Sequence, residues 1–82
     1  MIPEHTKDSI DLYVSHGCEP GSFLMAVLTN DLFGAVGRAD EFNIRHLREI
    51  CQYVYNDIPS VCWGSDEKVK KWMLQKREEK NK

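Results

Sequence analysis

The sequence predicts an all-α fold, a compact bundle of four or five short helices with no sheet. Three observations carry that expectation. Apolar residues recur at steps of three and four along most of the chain. Cap-forming residues and glycines punctuate those runs. No stretch alternates apolar and polar residues with the period of two that a half-buried strand requires.

The first helix is expected over residues 3–16. Pro3 suits a first helical turn, Glu4 and Asp8 suit its positive end, and Gly17 is a natural stop. Ile10, Tyr13 and Val14 share its inner face. Cys18-Glu19-Pro20-Gly21 reads as a turn, and Ser22 as the N-cap of the second helix. There Leu24, Leu28, Leu32, Ala35 and Ala39 form one apolar face through residue 39. Thr29-Asn30-Asp31 interrupts it with polar groups that compete for backbone hydrogen bonds, so a kink or a new cap near residue 30 is open. Asp40 or Asn43 caps the next helix. Its stripe is Ile44, Leu47, Cys51, Val54 and Ile58, widened by Ile50, and it ends near Asn56 because Pro59 disfavours helical geometry at Ile58. After a loop over 57–64, Ser65 caps a last helix whose inner face is Val69, Trp72 and Met73. Residues 74–82 lose apolar periodicity. The expected organisation is one helical domain over 1–74 and a frayed basic tail over 75–82.

Eighty-two residues bury a limited core, so self-association would add to a small stability margin, and a homo-oligomer is expected. Three cysteines, an odd count, and a start without a basic signal-peptide region point to a reducing cytoplasm. No apolar run approaches the ~20 residues that cross a bilayer, so no membrane partner is expected. Charge is uneven: residues 1–41 hold Lys7 and Arg38 against seven acids, while residues 42–82 hold nine cations against six acids. Such a division suits head-to-tail contact or a basic partner, although a mixed solvated surface also explains it.

Catalytic and metal chemistry find little footing. There is no CxxC, HExxH or EF-hand pattern, and no metal or cofactor is expected. Cys51 reads as a small core residue on its stripe. Cys18 precedes a helix start that could stabilise a thiolate, which leaves an enzyme with a Cys18 or histidine nucleophile as a minor alternative. The turns Pro20-Gly21-Ser22 and Trp63-Gly64-Ser65, the latter followed by Lys68, offer free N–H groups to a phosphate or act as ordinary caps. Seven Lys or Arg against two Glu over 68–82 could serve nucleic acid, but the chain is acidic overall, with pI near 5.9.

The candidate binding surface lies in the second helix. On one continuous wheel, Phe23, Val27, Asp31, Gly34 and Arg38 share an edge that begins apolar and becomes polar. Gly in a helix costs roughly 0.5–1 kcal/mol relative to Ala, so Gly34 and Gly37 imply close approach of a helix or a ligand. Asn30, Asp31, Arg38, Asp40 and Asn43 then line a pocket or subunit interface, with Trp63, Ser65 and Lys68 at the neighbouring turn and Tyr13, Tyr53 and Tyr55 available to complete it. The intramolecular alternative makes Asp31 a cap, pairs Arg38 with Asp31 or Glu41, and uses the glycines for helix crossing.

The segments "IPEHT" (2–6), "PGSFLMAVLTNDL" (20–32), "GRADEFN" (37–43) and "YNDIPSVCWGS" (55–65) resemble a group of small proteins of tailed phages and prophages. The resemblance covers roughly residues 2–73 and carries no assigned activity or site residues. It implies an accessory protein acting in the bacterial cytoplasm by binding. The expected function is inhibition of a host protein, a component of antiphage defence above all. The alternatives are an oligomeric sponge for a cyclic nucleotide or other phosphorylated signal, and a small nucleic-acid-binding accessory protein.

Overall fold

The first helix, α1 (Glu4–His16), forms as its cap signals predict and turns Thr6, Ile10 and Tyr13 into the core. In the computed structural model, which describes residues 2–80, five further α-helices and one 3-10 turn follow it. No strand occurs among the described residues. The all-α expectation therefore holds, with a helix count above the expected four or five.

Gly17 ends α1 in the left-handed region, at φ 70°, and its N–H donates to Tyr13 O at 2.8 Å. The position needs glycine twice over. A Cβ there would also come within 2.6 Å of Lys76 Cβ on the last helix. The Trp72 indole N–H closes the same corner, donating to Tyr13 O and Val14 O at 3.2 Å each. It shares Tyr13 O with the Gly17 N–H and supplies a donor to the Val14 carbonyl at the helix end.

The second predicted helix is two helices, α2 (Ser22–Leu28) and α3 (Leu32–Arg38). Gly21, not Ser22, is the cap residue of α2, and no side chain caps it. The break is built from local bonds. Asn30 sits at φ 65°, its N–H donates to Val27 O (3.1 Å), and the Asp31 N–H donates to Ala26 O (2.8 Å). This is a Schellman ending with Asn30 in the left-handed seat usually held by glycine. One residue on, the Asp31 carboxylate accepts from the Gly34 N–H at 3.0 Å and starts α3. Asn30 and Asp31 thus stop one helix and start the next, so the wheel edge from Phe23 to Arg38 does not exist.

The third predicted helix is also divided, into α4 (Glu41–Arg45) and α5 (Leu47–Asp57). Asp40 caps α4, accepting from the Asn43 N–H at 2.8 Å. His46 separates the two at φ −113°, ψ 16°, with no side-chain cap. The expected inner stripe holds at Leu47, Ile50, Val54 and Ile58 and fails at two positions. Ile50 and Val54 are buried, while Ile44 and Cys51, both expected inside, are exposed. Two bonds to α1 hold this arrangement. Buried Thr6 Oγ1 donates to Asn43 Oδ1 at 2.8 Å, and the Tyr53 hydroxyl donates to Asp11 Oδ1 at 2.5 Å.

Ile58 leaves helical geometry before Pro59, and a 3-10 turn follows at Ser60–Cys62. The last helix, α6 (Asp66–Lys80), runs well past residue 74, where fraying is expected; Asn81 and Lys82 lie outside the described residues. The core gathers Ile10, Tyr13, Leu28, Ile50, Cys62 and Val69, none with measurable exposure. Within it the Tyr13 hydroxyl donates to Cys62 O at 2.7 Å. Burial, seconded by Cys62, pushes the Tyr13 phenol pKa well up, and burial pushes the Cys62 thiol up. The radius of gyration, 12.2 Å, is close to the ~12 Å of a folded chain of this length.

Candidate functional site

Three surface features could carry function, and two of them divide the sequence-predicted residues. The first is a hollow of about 400 Å³ where the Glu19–Pro20 turn meets α2, α3 and the start of α6. Asp31 and Arg38 line it, 4.0 Å apart and each about half exposed. A pair so exposed contributes less than ~1 kcal/mol. Both lean over Gly34, where a Cβ would collide with the Asp31 carboxylate. The glycine therefore serves the cap and the ion pair rather than a helix crossing. Glu19 and Asp66 also line this hollow, so three carboxylates face one guanidinium. That balance repels a phosphate.

The second is a hollow of about 500 Å³ walled by Val27 and Asn30 on one side and by α5 and Trp63 on the other. From α5 it receives Cys51, Gln52, Val54, Tyr55 and Asn56. Asn30 and Trp63, both singled out from the sequence, meet here. The Trp63 indole N–H donates to Ile58 O at 3.3 Å, and the Gly64 N–H donates to Leu28 O at 2.7 Å. These bonds pin the turn that carries the ring. Tyr55 packs beside it with ring centroids 5.9 Å apart and planes inclined at 58°. Cys51 is exposed, yet its apolar surroundings desolvate the thiol and push its pKa up, away from thiolate reactivity.

The third feature is the outer face of α3. Phe33 is 88% exposed, with Leu32 at 65% and Val36 at 47% beside it at helical spacing. A Cβ added at Gly37 would meet nothing within 4 Å, so the backbone there is open to approach.

The remaining predicted site residues have structural work. Asp40 caps α4, and Asn43 is buried against Thr6. The Ser65 hydroxyl accepts from the Lys68 N–H at 3.1 Å, and Lys68 Nζ donates to Ser60 O at 3.3 Å. Ser65 and Lys68 are thus engaged with the chain itself rather than with an open anion site. Tyr13 is entirely buried, and Tyr53 points to Asp11. Gln52 and Asn56 had no signal, since polar residues on an amphipathic helix read as a solvated face. Phe33 and Val36 did have one, for they are apolar residues off the Leu24–Leu28–Leu32 face. Among the described residues no group of three or more His, Cys, Asp and Glu is gathered for a metal ion, and no helix is long and apolar enough to cross a membrane.

No family model matches this chain, and no curated protein or solved structure is similar enough to show a relationship.

Proposed function

We propose that this chain is a small all-α binding protein, without catalysis of its own, that works through protein–protein contact. The outer face of α3 carries the reading: an exposed Phe33 flanked by Leu32 and Val36 is apolar surface that a partner would remove from water. A bulky aromatic set among aliphatic neighbours is the kind of anchor that dominates interface energetics. The resemblance to phage and prophage accessory proteins gives the partner's class, a bacterial host factor, with antiphage defence as the foremost target and the bacterial cytoplasm as the place of action. The sponge alternative is less well supported, because the hollow at Ser22 is net acidic and Ser65 and Lys68 are engaged within the chain. For nucleic acid, Lys70 and Lys76 of α6 are already paired with Asp66 and Glu79.

The test is phage plating on bacteria that carry defined defence systems, with and without the chain expressed. The wild-type chain should restore plaquing against at least one system, and Phe33→Glu, still helical by circular dichroism, should not. Restoration by Phe33→Glu would move the contact away from α3. No restoration across the systems would remove the inhibitor reading, and a size shift of the free protein that Phe33→Glu abolishes would assign the face to self-association instead.

A further inference from the structure

The second hollow has a composition unlike the rest of the surface. Asp, Glu, Lys and Arg make up 29% of the chain, yet none of them lines this hollow. An ionic ligand would lose water there and gain no counter-charge, so its occupant is uncharged. Three carboxamides, of Asn30, Gln52 and Asn56, border it, and each offers an NH₂ donor as well as a carbonyl acceptor.

The aromatic pair narrows the occupant further. At 5.9 Å and 58°, Tyr55 and Trp63 touch one another and cannot clamp a flat ring between parallel faces. Both rings line the same hollow, so they form a trough with inclined walls. A nucleobase fits such a trough poorly. A ridge of aliphatic rings fits it well. A polyproline II segment presents that ridge with three residues per turn, and it has no internal hydrogen bonds, so its carbonyls seek donors. Carboxamide NH₂ groups placed beside aromatic walls meet both needs. The Trp63 ring is fixed by its bond to Ile58 O before any ligand arrives, which lowers the ordering cost of binding.

We propose that the hollow between α5, Asn30 and Trp63 binds an uncharged, proline-rich extended peptide segment, with Tyr55 and Trp63 as walls and Gln52 and Asn56 as donors to its carbonyls. This site is separate from the α3 face and does not depend on the function assigned to it.

The experiment uses the full chain labelled with ¹⁵N and a capped decaproline peptide as probe, with a capped Gly-Ser peptide and adenosine as controls. Decaproline should move the Trp63 indole resonance and leave that of Trp72, which is bonded to α1, in place. Tyr55→Ala, at a position 72% exposed in the free protein, should weaken binding by roughly tenfold or more without loss of helix content. Asn56→Ala supplies a second variant at another exposed position and should weaken binding as well. The proposal is overturned if decaproline leaves Trp63 unmoved at about 1 mM, if Trp72 moves equally, or if both variants bind as the wild type does. A response to adenosine or Gly-Ser equal to that of decaproline overturns it too.

Discussion

Two helices that the apolar pattern draws as continuous are each broken, and the breaks are made differently. At 29–31 the bonds are local: Asn30 and Asp31 close α2 on Val27 and Ala26, and Asp31 opens α3 on Gly34. At His46 no side chain caps either helix. There the side-chain ties beside the bend are long-range, since α1 holds α4 through Thr6–Asn43 and α5 through Asp11–Tyr53. The first break belongs to its own residues and the second to the tertiary fold.

That contrast is easiest to break at Thr6. Thr6→Val leaves the buried Asn43 carbonyl without its donor and should cost about 1–3 kcal/mol. For a domain of this size the melting temperature should fall by roughly 5–20 °C. If the ties to α1 hold the bend, backbone chemical shifts at 43–47 should become more helical. A bend at His46 that persists unchanged in this variant would make the second break local after all. Asp31→Ala should cost about 1 kcal/mol and fray the first turn of α3, with no change near His46. The glycines separate next. Gly37→Ala should stabilise by about 0.5–1 kcal/mol, since a methyl group there meets nothing. Gly34→Ala should gain less or lose, because the methyl displaces the Asp31 cap, and equal gains at both positions would argue against that cap.

The smallest effect concerns pH. The hydrogen bond to Asp11, then burial and the nearby Asp11 and Asp57 charges, push the Tyr53 pKa up from 10.0 to about 12. The protonated phenol is the form that the fold prefers. Its contribution is whole below about pH 10 and is lost as pH rises through about 12. In thermal melts at stepped pH, wild type should lose slightly more stability over that window than Tyr53→Phe. Parallel losses would sever α5 from this tie.

The same contrast explains what the sequence made legible. Gly17, Asp31 and Asp40 act within four residues of where they stand, and each ending or cap they form is readable from the chain. Asn30 is readable as a disturbance but not as a helix stop, since asparagine is the less common choice for the left-handed seat. The bend at His46 is not readable, because no capping side chain marks it and the bonds beside it reach Thr6 and Asp11, far back in the chain. Ile44 and Cys51 lie at the edge of the face that Asn43, Leu47, Ile50 and Val54 share, and both are exposed. The candidate surfaces fare similarly. Asn30 and Trp63 stand out singly in the sequence and share a hollow in the fold, whereas Gln52 and Asn56 matter only through the wall they face.

The clasp between Trp72 and the end of α1 has a consequence for how the chain reaches its structure. The two groups are 58 and 59 residues apart, and Gly17 leaves the room into which Lys76 and Met73 pack. Closing so long a loop carries an entropic cost that grows with the logarithm of its length. On the ribosome, α1 through α5 would emerge before the helix that covers Tyr13. Native closure therefore waits until α6 has left the ribosome, and a chain stalled before residue 72 would expose its hydrophobic centre.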